Sequence, residues 1–102
     1  MSTKEPEGHC RLCGRRRPLT FHHLIPRSLH SNKWFKKRYA REELQRGIDI
    51  CRDCHSAIHR FASEKELGRD WNTVEALLAH EEIGKFVRWL RGRDSAGRIR
   101  TR

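Results

Sequence analysis

The chain has 102 residues, of which only 35% are hydrophobic, so a single domain with a small core is expected. It carries 23 Lys and Arg against 13 Asp and Glu, and the resulting net charge of +10 favours nucleic acid as a partner over a merely solvated cationic surface. No apolar run approaches the ~20 residues of a membrane span, and the N-terminus lacks the apolar stretch of a signal peptide, so we expect no membrane partner and a cytoplasmic location.

The first half of the chain alternates short strands with one helix. Residues 1–8 are polar and are predicted to be flexible. Residues 10–18 read CRLCGRRRP, a knuckle of two cysteines and a tight-turn glycine followed by basic residues. The β-branched and aromatic residues 19–25 predict a strand. Residues 31–47 predict a helix, capped by its first Ser or Asn and stopped by its last Gly, and residues 48–50 predict a very short strand.

The second half is predicted to be helical. An apolar arc runs through residues 52–61, and residues 63–66 (SEKE) fit a capping box for a short helix near Leu67. Asn72 could cap the next helix, and residues 81–91 carry an apolar stripe at helical spacing. The prediction is a small α+β fold with one domain at 9–91, divided into a core at 10–62 and a helical extension at 63–91. Residues 92–102 predict a disordered basic tail.

The four cysteines form two Cys-x-x-Cys pairs separated by a long insertion. Each pair brings two sulfurs to one point, and four thiolates complete the tetrahedral shell that Zn²⁺ prefers. Such a closed site has no position for substrate and is therefore structural. Disulfides or free core thiols are the alternative, which a reducing compartment disfavours. The predicted zinc ligands are Cys10, Cys13, Cys51 and Cys54.

Four of the seven histidines stand in two paired arrangements. His22 and His23 are neighbours on a predicted strand, so their side chains point to opposite faces unless the chain bends. His55 and His59 lie four apart on a predicted helix and can share an ion. This pattern predicts a second, functional metal site. His9, His30 and His80 are expected to be surface or hydrogen-bonding residues.

The joint pattern CRLC, HHLIP and CRDCHSAIH resembles the HNH (ββα-metal) endonuclease superfamily in its zinc-knuckle form, over roughly residues 10–60. The resemblance implies a β-hairpin followed by a helix that together hold one catalytic divalent metal. By position, His23 matches the general base, and the metal ligands are matched by His22, His55 and His59. The implied activity is metal-dependent DNA hydrolysis that nicks one strand, with Mg²⁺, Mn²⁺, Ni²⁺ or Zn²⁺ as the catalytic metal.

Arg46 departs from the family pattern, because it stands where the motif usually has the Asn that braces the loop between the strands. An arginine side chain can donate hydrogen bonds to loop carbonyls but cannot accept any. Asn32 or Asp49 could supply part of that bracing. The departure concerns loop geometry and turnover rather than the base or the metal ligands.

Binding to double-stranded DNA would come from cations that contact phosphates, which gives little sequence preference and a steep loss of affinity with salt. Residues 15–17 flank the first knuckle with three arginines, and a longer acid-free run comprises Lys33, Lys36, Lys37, Arg38 and Arg41. The main alternative function is a non-catalytic zinc module that binds nucleic acid. A further alternative is a small protein-interaction or toxin-like domain that acts on RNA or binds a partner protein. A monomer or a weak dimer is compatible with the sequence.

Overall fold

The computed structural model describes the backbone of residues 7–97 and the side chains of residues 7–93. The fold is a small α+β structure in which a three-stranded antiparallel sheet packs with several helices. The strands are β1 (Glu7–His9), β2 (Arg16–His23) and β3 (Gly47–Cys51), in the order β1-β2-β3. Within the described part of the chain, no helix is both long enough and apolar enough to cross a membrane.

The helices fall into an insertion between β2 and β3 and a series after β3. The insertion holds a 3₁₀ helix (Arg27–Leu29), α1 (Lys33–Arg38) and α2 (Arg41–Leu44). The later helices are α3 (Arg52–Phe61), α4 (Glu64–Asp70), α5 (Val74–Ala79) and α6 (Glu81–Gly97). Helix α3 follows β3 directly and packs on β2, β3 and α6, which places it at the centre of the molecule.

Strands β2 and β3 form a hairpin whose two faces differ. Their register pairs His22 with Ile48 and His23 with Gly47. Because side chains alternate along a strand, Thr20 and His22 share the face toward α3, while Phe21 and His23 share the other. The main core lies on the α3 side, where Ile50, Ile58, Leu67, Leu77, Ile83 and Val87 are fully buried.

The prediction of one helix over residues 31–47 is wrong, because the chain breaks at Tyr39 and Ala40, which are both extended. Phe35 and Leu44 belong to one buried cluster. At 3.6 residues per turn, positions nine apart lie on roughly opposite sides of a helix, so an unbroken helix could not bury both together. Gly47 therefore starts β3 instead of stopping a helix. The predicted cap at Asn32 is confirmed, since its side chain accepts a hydrogen bond from the Trp34 N–H at 2.8 Å.

The later helices have the expected positions with shifted ends. The Ser63–Glu66 capping box of α4 is confirmed. The cap of α5 is Thr73 rather than Asn72, whose side-chain amide instead donates to the Gly68 carbonyl and the Tyr39 hydroxyl.

Regular structure extends into both of the predicted terminal segments. Glu7 and Gly8, which were predicted to be flexible, pair with β2 as part of β1. Helix α6 continues past residue 91 to Gly97, because Gly92 lowers helix stability by only ~1 kcal/mol and does not end it. Residues 1–6 and the end of the predicted disordered tail, 98–102, lie outside the described residues.

Candidate metal centres

The four cysteines meet in one buried cluster. Cys10 and Cys13 lie between β1 and β2, Cys51 ends β3, and Cys54 lies in the first turn of α3. Their sulfurs all lie within 4.8 Å of one another, with separations of 3.7 Å for Cys10–Cys54 and 3.8 Å for Cys13–Cys51. A tetrahedron with Zn–S bonds of ~2.3 Å has edges of about 3.8 Å. The cluster could therefore hold a zinc ion, as the sequence predicts.

The first knuckle is shaped by its own backbone. The N–H groups of Leu12 and Cys13 each donate to the Cys10 sulfur at 3.4 Å. Gly14 adopts a φ of +79°, which a side chain would disfavour, and this turn lets its N–H reach the Cys10 carbonyl at 2.9 Å. The Cys10 sulfur is thus supported by two backbone donors before any metal binds.

Arg15 completes the cysteine cluster, and sequence reasoning missed this role. The side chain was grouped with the phosphate-binding cations, yet Arg15 is only 5% exposed. Its Nε donates to the Cys13 sulfur at 3.4 Å, and its Nη2 donates to the Cys51 sulfur at 3.6 Å and to an Asp53 carboxylate oxygen at 2.9 Å. Burial lowers the Arg15 pKa, but these hydrogen bonds outweigh burial and raise it. A fixed positive charge therefore lies against sulfurs of both knuckles.

Three of the four predicted site histidines form the second cluster. The ring centroids of His22, His55 and His59 are 5.2 to 5.6 Å apart, and one ring nitrogen from each lies within 4.8 Å of the others. His22 is 2% exposed, and its Nε2 is buried without a hydrogen-bond partner among the described residues. Burial, followed by the nearby charges of His55 and His59, lowers the His22 pKa to about 3. A neutral imidazole with an unpaired buried nitrogen is suited to coordinate a metal ion.

The orientation of His55 is set by Thr20, another residue that the sequence did not indicate. The Thr20 hydroxyl donates to the Ile50 carbonyl at 3.1 Å and lies 2.8 Å from the His55 Nδ1. Because that hydroxyl proton is used, the Thr20 oxygen accepts from Nδ1–H, which leaves the His55 Nε2 lone pair free for a ligand role. Burial and then the charge of His59 lower the His55 pKa, which also favours the neutral ring.

His23 lies beside the three-histidine cluster in the chain but on the other face of β2. Its ring contacts Phe21 and His30, with centroid distances of 4.9 and 5.3 Å. Burial, then His30 and Arg27, lower the His23 pKa. His30 is oriented by donating from Nε2 to the Ile25 carbonyl at 2.8 Å. The His23 ring is thus half-buried and separate from the three-histidine cluster, and its lowered pKa favours the neutral form.

Arg46 braces the hairpin through its backbone rather than its side chain. Its carbonyl accepts a hydrogen bond from the Leu24 N–H at 3.1 Å, immediately beyond the ladder that ends at His23 and Gly47. The side chain is exposed and lines a cavity of about 130 Å³ with residues of the insertion and Asn72. The Arg46 backbone carbonyl therefore connects the two segments that follow β2 and precede β3.

The predicted phosphate-binding cations of the insertion all lie exposed. Four are on α1 and one begins α2; they are Lys33, Lys36, Lys37, Arg38 and Arg41. The Arg38 guanidinium lies over the Trp34 ring, 3.9 Å from its centroid.

Comparison with known proteins places the chain in a family. It is 31% identical over 100 residues to YisB of Bacillus subtilis (strain 168), a match that covers 97% of this chain and 89% of YisB. The chain belongs to the YisB family. Because YisB is described as an uncharacterized protein, membership in its family indicates common descent but does not indicate which activity the chain has. No family model matches the chain, and no solved structure matches it.

Proposed function

We propose that this chain is a divalent-metal-dependent DNA endonuclease of the HNH (ββα-metal) type, which hydrolyses phosphodiesters and nicks one strand. The observation that carries the proposal is the cluster of His22, His55 and His59, in which the buried Nε2 of His22 has no hydrogen-bond partner among the described residues. These ligands come from β2 and α3, and the antiparallel strands β2 and β3 followed by α3 would supply the two strands and the helix that the proposal requires.

The donor set suits a catalytic metal. Three imidazoles favour Zn²⁺ or Ni²⁺ over Mg²⁺ or Mn²⁺, and three protein ligands leave positions for water and substrate. When bound, the ion would act as a Lewis acid that stabilises charge on the phosphate and the leaving oxygen. The partly exposed side of the cluster, at His55 and His59, adjoins an open pocket of about 320 Å³ where a phosphate could enter.

His23 is the proposed general base, which takes a proton from the attacking water. A general base must be unprotonated at the working pH. The pKa of His23 is lowered by burial, His30 and Arg27, so its ring is neutral at pH 7. His23 follows His22 at the end of β2 but on the opposite face of the strand, so the attacking water would have to lie at the edge of the strand to reach both the base and the metal.

In this proposal, a metal ion at the cysteine cluster would orient the histidine ligands on α3. Cys51 and Cys54 lie at the start of α3, and His55 and His59 lie on its body. A zinc ion at the cysteines would fix the first turn of α3 and so fix where both histidines point.

A second candidate is a zinc module that binds nucleic acid without cutting it. The observation that favours it is the orientation of His23, whose ring contacts Phe21 and His30 rather than His22. Such a module would keep the cysteine cluster and the exposed cations but would have no use for a buried, unpartnered His22 nitrogen.

A plasmid-nicking assay separates the two candidates. Supercoiled DNA is incubated with zinc-loaded protein and Mg²⁺, Mn²⁺, Ni²⁺ or Zn²⁺, beside His23→Ala and the exposed control His9→Ala. We expect metal-dependent nicking that His23→Ala lowers about 100-fold or more and that His9→Ala preserves. Full activity in His23→Ala would make the assigned base wrong, and DNA binding without nicking under any metal would favour the module.

The pH profile of nicking tests the same base. His23 must lose its proton to act, and its pKa is lowered from the usual value of ~6.5. Activity should therefore rise with pH, with a midpoint below pH 6.5, and stay high through pH 7. A midpoint above 7 would contradict a lowered pKa for the base.

A further inference from the structure

Trp34 is an exposed aromatic residue whose orientation is fixed from behind. Its side chain lies on α1 and is 39% exposed, while the neighbouring Phe35 is 2% exposed. Phe35 packs against Gly68 of α4, where a Cβ would lie 3.0 Å from the Phe35 ring and 2.6 Å from Leu29. This close approach of α1 to α4 holds Phe35 inward, so Trp34 is held toward solvent instead of folding into the core.

Two arginines from different helices converge on the Trp34 ring. The Arg38 guanidinium, one turn further along α1, lies 3.9 Å from the ring centroid, and the Arg69 guanidinium of α4 lies 6.0 Å from it. Both arginines are exposed. We call Trp34, Arg38 and Arg69 the Trp34 surface. Lys33 and Lys37 adjoin it on α1, in a segment without acidic residues.

We propose that the Trp34 surface stacks an unpaired nucleobase, so that the protein selects DNA containing a single-stranded segment. Indole and guanidinium planes both stack on bases, and such stacking tolerates any sequence. The surrounding cations would hold the adjacent phosphates. Bases inside a duplex present only their edges in the grooves, so a flat stacking surface is used only where a base is unpaired. As a statement about the substrate that is nicked, the inference rests on the proposed function.

The chain contains a matched control in Trp89. This side chain is 55% exposed on α6, and Arg93 lies 5.0 Å from its ring centroid. Its other ring neighbour is Phe86, at 5.7 Å, and both neighbours come from the same helix. Both tryptophans are thus exposed and lie near an arginine of their own helix. Trp34 in addition has an arginine from a second helix beside its ring.

Binding of a labelled single-stranded oligonucleotide tests the inference, with a backbone of the same length made of abasic sites as comparator. Full-length protein loaded with one zinc ion per chain is used without further divalent ion, and a denaturing gel checks that the labelled strand stays uncut. We expect wild type to bind the normal strand about tenfold or more tightly than the abasic strand. Trp34→Ala should bind both strands alike, while Trp34→Phe and Trp89→Ala keep the preference.

Tryptophan fluorescence supplies a second measurement that does not depend on the alanine variant folding. The oligonucleotide should quench the emission of Trp89→Phe but not that of Trp34→Phe. Equal affinity of wild type for the normal and abasic strands, or equal quenching in both variants, would overturn the inference. If the protein prefers the normal strand but never nicks DNA, base stacking at the Trp34 surface is supported and only the proposed nuclease function is wrong.

Discussion

At the scale of single residues, two buried polar side chains among those described mark the two ligand clusters. Arg15 and His22 are 5% and 2% exposed, respectively. Burial of a charge or an unpaired nitrogen is unfavourable unless a partner compensates. Arg15 finds sulfurs and Asp53, whereas His22 Nε2 has no described partner. The first residue therefore belongs to an anionic cluster, and the second is suited to receive a cation.

Replacing Arg15 should speed the loss of zinc from the cysteine cluster. In Arg15→Met the sulfurs of Cys13 and Cys51 lose their N–H donors and the buried countercharge, so we expect zinc affinity to fall about 10-fold or more. Arg15→Lys should retain only part of the wild-type zinc affinity, because an ammonium keeps the positive charge but lacks the planar N–H donors of a guanidinium. The measurement is the rate of zinc transfer to a chromogenic chelator.

The control for this prediction is Arg16→Met. Arg16 is the next residue, is exposed, and lies 3.9 Å from Glu7 in a surface ion pair. The variant should release zinc at the wild-type rate. If Arg15→Met is also indistinguishable from wild type, the arginine has no part in holding the metal.

The sequence predicted which cysteines would cluster and which histidines could pair, but not the residues that orient their side chains. Spacing alone identifies Cys-x-x-Cys and the His55 and His59 pair, because those partners are local. Arg15 contacts Cys51 at a separation of 36 residues, and Thr20 contacts His55 at a separation of 35. Such contacts depend on the hairpin register, which no local pattern in this chain specifies. Thr20 also looks like an ordinary strand residue.

At the scale of elements, the insertion between β2 and β3 is where sequence reasoning failed most. The helical signal over residues 31–47 was real, but two apolar residues on opposite sides of one helix both belong to the same cluster. Burial of both Phe35 and Leu44 outweighs helix continuity, and the chain bends at Tyr39. In contrast, α3 spans Arg52–Phe61 as predicted, since its apolar arc has only one face to bury.

Gly47 at the start of β3 should tolerate no side chain. A Cβ there would collide with the Phe21 ring and lie 2.5 Å from the His22 carbonyl oxygen. We expect Gly47→Ala to lower the free energy of unfolding by about 1–3 kcal/mol, the range for overpacking. Urea titration measures the change, and Phe21→Ala in the same chain should relieve only part of it because the carbonyl contact remains.

Gly92→Ala is the matched control for Gly47→Ala. Gly92 lies within α6, and a Cβ there would meet no atom of the described residues within 4 Å. Alanine favours a helix over glycine by ~1 kcal/mol, so this variant should be slightly more stable than wild type. Equal stability of Gly47→Ala and wild type would show that the hairpin relaxes around the new methyl group.

At the scale of the whole molecule, the cysteine cluster joins parts of the chain that are far apart in the sequence. It links the β1–β2 turn to the start of α3, and α6 reaches the same turn, where the Arg91 Nη2 donates to the Leu12 carbonyl at 2.7 Å. The small α+β class and the cysteine grouping followed from the sequence. The closure of α6 over the knuckle did not, because Arg91 and Leu12 are 79 residues apart.

Removal of the cysteine-bound metal should unfold the molecule. Structural zinc contributes on the order of 10 kcal/mol, which is comparable to the entire stability of a small domain. Burial also raises the pKa of the Cys13 thiol, which favours the protonated form of this side chain when no metal is bound. We expect Cys13→Ser, or wild type treated with a strong chelator, to lose most helical circular dichroism and its cooperative melting transition.

The matched variant is His59→Ala, which removes a ligand of the histidine cluster but leaves all four cysteines. His59 is exposed, so its loss should leave the spectrum and the melting temperature close to those of wild type. Bound zinc, counted by atomic absorption, should fall to near zero in Cys13→Ser and stay at one or more per chain in His59→Ala. A zinc-free Cys13→Ser protein with native helicity and a cooperative transition would contradict a structural role for the cysteine cluster, because the fold would then stand on its apolar core alone.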